Sequence, residues 1–179
     1  MYLGSDATLL GEPVVFELHA TASQILPRTS FAVVDITGNE TSLYVLAEHP
    51  DKKYTAQNFP GENEILYKAG NFVGFEFLGY DPTLYAEKFE QKTNRGGDDL
   101  APLIDFLRFV SESTDAEFAA QLENWIDISS LTRMMTLDNL LNNNDSFDGM
   151  GSNFYLFYSK DAAKFTIFFW DQSSILTKK

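Results

Sequence analysis

Three carboxylates and one amide near the C-terminus have the types and the spacing to do chemistry. Asp145 and Asp148 sit in the loop Asn143-Asn144-Asp145-Ser146-Phe147-Asp148-Gly149. Asn153 opens the apolar run Phe154-Tyr155-Leu156-Phe157, and Asp171 closes the run Phe168-Phe169-Trp170. If the two runs pair as a hairpin, the acidic loop, Asn153 and Asp171 meet at one end of a small sheet. Oxygen ligands arranged in that way suit Mg²⁺, which takes one or two carboxylates together with substrate phosphates. Phosphoryl transfer separates the roles of a catalytic Asp from those of a metal-binding Asn and Asp. Both Asp145 and Asp148 remain candidates for the catalytic carboxylate, although Asp148-Gly149 is also a common two-residue turn. A glycosidase pair of Asp145 and Asp171 would need carboxylates roughly 5–9.5 Å apart in an open cleft.

Other chemistries fail on spacing. Asn144, Ser146, Asp148 and Gly149 fit the first, third, fifth and sixth positions of a calcium loop. The twelfth falls on Tyr155 in place of the bidentate Glu, so an EF-hand is rejected. Two isolated histidines, His19 and His49, with no cysteine in the chain, make no zinc pattern. There is neither a P-loop motif nor a Gly-x-Ser-x-Gly elbow.

The elements that must position these residues are readable from periodicity. Val14, Val15, Leu18, Ala22 and Ile25 predict a helix over Pro13 to Leu26, stopped by Pro27. Ser30 to Ile36 and Ser42 to Glu48 read as a hairpin turning at Gly38-Asn39. Asp51 to Phe59 predicts a short helix ended by Pro60-Gly61. Ile65 to Lys68 predicts a strand, and Phe72 to Leu78 another. Leu103, Phe106, Leu107 and Val110 mark one face of a helix, with Asp98 or Asp99 as its cap and Pro102 in its first turn. A second helix opens at Thr114 and runs through Leu122. A third, from about Ser129 to Leu141, has apolar residues almost all round and is expected to be buried on most sides. The terminal strands, Asn153 to Tyr158 and Lys164 to Asp171, are aromatic and expected in the core. Mixed strands, helices and a final hairpin give an α+β fold class.

The 179 residues can form one domain with a substantial core, and 44% hydrophobic and 15% aromatic content excludes a disordered chain. A net charge of −13 argues against nucleic acid and against docking on an anionic membrane surface. No apolar run is long enough for membrane insertion, and Met1 to Asp6 show no signal-peptide pattern.

Taken in order, these segments resemble the CotH family, the atypical kinases named after a spore coat protein. The buried helix, the Asn-x-Asp-Ser-aromatic loop, the Asn-aromatic-Tyr-Leu-aromatic strand and the Trp170-Asp171 pair carry the resemblance. Upstream, Pro27 to Phe31, Leu43 to Pro50, Leu66-Tyr67-Lys68 and Phe89 to Asn94 fit the family in the same order, so that the likeness covers about Phe16 to Asp171. It implies a protein-kinase-like fold that binds ATP and Mg²⁺ and phosphorylates Ser or Thr of a protein substrate. It also implies a spore-coat, cell-surface or secreted setting. Asp145 would be the catalytic Asp, Asp171 a metal ligand and Asn153 a second one. Glu48 and its neighbours would form a hinge-like segment whose backbone holds the adenine, and Lys68 would contact phosphate. Family members have Pro before Trp-Asp and a polar or acidic residue two positions after the Asp; here these positions hold Phe169 and Ser173. The family's nucleotide-covering segment lies upstream of the matched region. The chain is therefore expected to be one partial domain over 1–179, strand-rich over about 14–95 and helical over about 98–179. The alternative expectation is a non-catalytic coat or surface assembly module on the same fold.

Overall fold

The structure, a computed structural model, describes residues 9–38, 41–59, 64–94, 99–172 and 175. Asn39, Pro60-Gly61, Asp98 and Ser173, which enter the expectations above, lie outside the described residues. Among the described residues the chain forms α1 (Gly11–Thr21), β1 (Thr29–Val34), β2 (Ser42–Ala47), α2 (Lys52–Asn58) and β3 (Glu64–Ala69). A 3₁₀ turn (Pro82–Tyr85) then leads to β4 (Phe89–Gln91), α3 (Ala101–Glu112), α4 (Asp115–Trp125), α5 (Ile128–Leu141), β5 (Phe154–Ser159) and β6 (Lys164–Phe169). The fold is α+β with antiparallel sheets. β1 and β2 form a separate hairpin, and the other strands form a four-stranded sheet in the order β4-β3-β5-β6.

Strand side chains alternate between faces, so a strand covered on both sides must be apolar throughout. β5 meets that condition from Phe154 to Tyr158, and β6 meets it from Ile167 to Phe169, after Lys164 and Thr166. On one face Ile65, Tyr67, Phe154, Leu156, Phe165, Ile167 and Phe169 pack against Leu103, Phe106 and Leu107 of α3 and Met134 of α5. On the other, Leu66, Tyr155, Phe157 and Phe168 pack against Tyr54 of α2. β5 pairs with β6 from Phe154↔Phe169 to Ser159↔Lys164, which puts Asn153 and Trp170 side by side at one end.

Local signals set several helix ends. Asp51 caps α2 by accepting from the backbone N–H of Lys53 and Tyr54. Thr114 and Glu117 form a reciprocal capping box on α4. Asn142 ends α5 in the left-handed conformation, φ 52°.

Four expectations need correction. α1 ends at Thr21, where the chain turns through Ser23 at φ 60°, so Pro27 is not its stop. Its inward residues are Glu12, Val15, Phe16 and His19, while Val14 and Leu18 face outward. Phe72 to Leu78 is not a strand. Residues distant in sequence take its N–H groups in place of a neighbouring strand, with Val73 N–H donating to Gly151 O, Phe72 N–H to Ser152 Oγ, and Phe77 N–H to Ser111 Oγ. The N-cap of α3 is Leu100, because Asp99 instead pairs with Lys160 at 2.6 Å. Finally, α5 buries one line only, Ser130, Met134 and Asp138, and leaves Leu140 73% exposed. Apolar content all round a helix records what it can bury, and here the sheet covers a single side.

Candidate functional site

The site lies at the end of the four-stranded sheet where β5 begins and β6 ends. The acidic loop arrives there from α5 and is folded tightly onto itself. A Cβ on Gly149 would meet Asn144 O at 2.1 Å, so only glycine allows that approach. Ser146 Oγ, fully buried, lies 2.9 Å from Asn143 O and 3.1 Å from Asp148 Oδ1, its one hydroxyl proton shared between the two acceptors. Asn139 Nδ2 donates to Asp148 Oδ2 at 2.7 Å. Both oxygens of Asp148 are therefore held from α5 and Ser146. Asp145 is tied to the sheet instead, its backbone carbonyl accepting from Asn153 Nδ2 at 2.9 Å. Trp170 N–H in turn donates to Asn153 O at 2.8 Å, which joins the loop, the start of β5 and the end of β6 in one chain of bonds.

Asn153 and Asp171 share a second property. Both adopt left-handed backbone, φ 57° and 47°, a region that Asn and Asp visit more readily than other side-chain-bearing residues. Such conformations cluster at active sites and ligand clamps.

Asn153 and Asp171 line a cleft of about 550 Å³ together with Lys68, Asn71, Glu87, Glu90 and Trp170. That volume falls within the usual range for small-molecule sites. Lys68 reaches the cleft from β3, and its Nζ lies 5.9 Å from the centre of the Trp170 ring. Trp170 also stands edge-to-face with Tyr155 and with His49. Lys68, Asn153 and Asp171 are thus brought together, with Asp145 one hydrogen bond behind Asn153. Glu48 is adjacent but not among the cleft-lining residues. Arg28 grips its carboxylate in a fork, Nη2 to Oε1 at 2.6 Å and Nε to Oε2 at 3.0 Å, and that hydrogen bonding lowers its pKa.

Two groups of functional interest escape a sequence reading. Glu12 of α1 is buried beside Asp171 and accepts from the Gln172 backbone N–H. Burial first, and then the Asp171 charge, raise its pKa. Nothing in the sequence signals this, because the contact spans almost the whole chain. The other is Asp138, 1% exposed, whose pKa burial pushes up to about 7. It had a readable signal, since it continues the buried i, i+4 line of Ser130 and Met134 with an acid.

The cleft is rich in carboxylates, with Glu87, Glu90 and Asp171 on its walls and Lys68 the cation among its lining residues. Among the described residues no three His, Asp or Glu side chains gather into a self-contained metal site. No helix of the described residues is long and apolar enough to cross a membrane.

Comparison with known proteins agrees with this architecture over nearly the whole chain. The family model described as "CotH kinase protein" matches residues 3–176. The inner spore coat protein H of Bacillus subtilis (strain 168) is 21% identical over 170 residues, covering 93% of this chain and 46% of that protein. The chain thus spans about half the length of the curated relative it matches. On the extent of the family match, the chain belongs to the CotH family.

Proposed function

We propose that this chain is the metal- and phosphate-binding part of a CotH-type protein kinase with a protein-kinase-like fold. It would transfer the terminal phosphoryl group of ATP to Ser or Thr of a protein substrate in a spore-coat setting, as the relative's name suggests. The observation that carries this reading is the shared cleft of Lys68, Asn153 and Asp171, with Asp145 bonded directly behind it.

The donor set fits Mg²⁺, which favours few protein carboxylates and completes its shell with phosphate oxygens and water. Asp171 would offer a carboxylate. The Nδ2 of Asn153 is engaged by Asp145 O, so its Oδ1 is the atom that would face a cation. Asp171 and Asn153 would hold Mg²⁺ there, and its positive charge would offset the negative charge of the phosphates. Lys68 would add positive charge on the β3 side of the cleft. The Asp145 carboxylate would orient the substrate hydroxyl and accept its proton. Asp148 is the weaker candidate for that role, since Asn139 and Ser146 already hold both its oxygens. The backbone around Glu48 and His49 would border the base, linked to the cleft through the His49–Trp170 contact.

Calorimetry of ATP binding with and without Mg²⁺ tests the metal half. Binding that requires Mg²⁺ and vanishes in Asp171→Ala is expected; Mg²⁺-independent binding, or none, overturns it. In the full-length protein, Asp145→Asn should reduce phosphoryl transfer about 10²–10⁴-fold, and full activity in that variant would remove Asp145 from the mechanism.

A second reading, an assembly module without catalysis, is favoured by one feature. Leu10, Val14 and Leu18 form an exposed apolar stripe on α1, and Phe31, Val33 and Leu43 of the hairpin are exposed as well. Partner binding that survives loss of both Asp145 and Asp171 would support it.

A further inference from the structure

Asp145 and Asp171 belong to segments far apart in sequence, and besides the backbone route through Asn153 a buried amide side chain bridges those segments directly. Asn143 Nδ2 donates one hydrogen bond to Asp138 Oδ1 at 3.1 Å and the other to Gln172 Oε1 at 3.0 Å. All three side chains are almost fully buried, at 5% exposure for Asn143, 1% for Asp138 and 0% for Gln172. Asn143 stands two residues before Asp145, and Gln172 directly follows Asp171. The Asn143 backbone N–H is also fixed, donating to Asp138 O at 3.0 Å, and its carbonyl accepts from Ser146. Asp138 sits on the inward line of α5, so it connects this cluster to the helix that supports the sheet.

An amide is the side chain this position requires. Its two N–H groups meet two oxygen acceptors, one from the helix and one from the end of β6, and the short stem leaves the joint no slack. Hydroxyl or carboxylate groups cannot supply two donors at once. Buried hydrogen bonds of this kind make neighbouring segments rigid relative to each other; the pairing is on the donor side, since Asn143 Oδ1 and Asp138 Oδ2 have no hydrogen-bond partner among the described residues. We propose that Asn143 is a positioning residue: it holds the Asp145 loop and the Asp171 segment as one unit, with Asp138 orienting its amide. The part of this claim that concerns catalysis rests on the kinase reading above; the mechanical part does not.

The consequence for turnover follows from the contacts. In the proposed reading Asn143 touches neither nucleotide nor metal, so its loss alters the relative placement of acceptor and donor groups and not the grip on ATP. Misplacement of about 1 Å can cost about 10²-fold in rate.

The test compares Asn143→Ala, Gln172→Ala and the double variant by hydrogen–deuterium exchange across residues 143–149 and 170–172. Each single variant should speed exchange in both segments, and the double should add nothing further. Gln172→Ala provides a second route to the readout should Asn143→Ala fail to fold. Asp138→Asn, which keeps an acceptor oxygen, should preserve the coupling, whereas Asp138→Leu should abolish it. Exchange that rises only in the mutated segment overturns the proposal. In the full-length protein, Asn143→Ala and Gln172→Ala should each lower kcat about 10²-fold with KM for ATP unchanged. An increase in KM alone would also overturn it. A wild-type protein with no transfer activity would sink the kinase reading, while the exchange experiment would still decide the mechanical claim.

Discussion

The β1–β2 hairpin and the four-stranded sheet draw on the same residue types, and the structure treats them in opposite ways. Phe31-Ala32-Val33-Val34 and Leu43-Tyr44-Val45-Leu46 are as apolar as β5 and β6, yet of these eight only Val45 is buried. In β5 every residue but Tyr158 is buried. An uninterrupted apolar strand is the signature of cover on both faces. In β5 and β6 the cover is α3 and α5 on one side and α2 on the other. On the hairpin, Val33 is 71% and Leu46 51% exposed. Asn153 and Asp171 therefore rest on the interior sheet. The segment Glu48 to Pro50 follows the uncovered hairpin and is anchored by its Arg28 fork and by contact with Trp170.

The contrast is broken most directly by truncating matched residues. Phe168→Ala in β6 removes a ring packed against Tyr155 and Tyr54, and should cost about 3–5 kcal/mol of stability. Val33→Ala should stay within about 0.5 kcal/mol, as surface changes do. Urea denaturation of both variants measures the difference, and equal costs would mean that the hairpin is covered in solution. Next in size is the joint between the acidic loop and the 72–78 segment. Gly151 has φ +65°, and a Cβ there would lie 2.3 Å from Val73 O. Gly151→Ala should therefore destabilise by about 1–3 kcal/mol. A thermal melt unchanged by that substitution would show that the loop yields without cost.

The smallest net effect is expected in acid, where two buried groups work against each other. Burial pushes the Asp138 carboxyl up to about 7, so its contribution to stability is present below its unfolded value of 3.8 and is lost as pH rises toward 7. Burial lowers His19 to about 4, so its contribution is present above 6.5 and is lost as pH falls toward 4. His19 is fully buried against the edge of Phe169, and neither ring nitrogen has a hydrogen-bond partner among the described residues. Between pH 4 and 6.5 the two slopes have opposite signs and offset each other. Melting temperatures followed through that window should show stability rising with pH in Asp138→Asn and falling with pH in His19→Phe. Identical profiles for both variants and the wild type would refute the opposition.

These regions also show how much of the molecule was legible beforehand. Features governed by neighbours in sequence were readable: the short helix beginning near Asp51, the helix opening at Thr114, the end of α5 near Leu141 and the pairing of both hairpins. Asp145, Asn153 and Asp171 could be singled out because each sits at a boundary between an apolar run and a polar loop. What depended on distant partners was not readable. Phe72 to Leu78 has strand composition, but Gly151, Ser152 and Ser111 satisfy its backbone in place of a neighbouring strand. The one-sided burial of α5 depends on where the sheet stops. Glu12 meets Asp171 only because α1 folds back onto the end of β6, a contact that no local pattern encodes.

Trp170, described above as a wall of the cleft, gives the protein a built-in optical reporter. The chain contains two tryptophans, and Trp125 lies elsewhere, stacked with Phe106 and Phe109. With Trp125→Phe, the remaining indole emission would come from a ring that faces Lys68 and His49 and immediately precedes Asp171. Its intensity and wavelength would then test the proposed entry of cation and nucleotide without a label, and stopped-flow mixing would resolve their order of arrival.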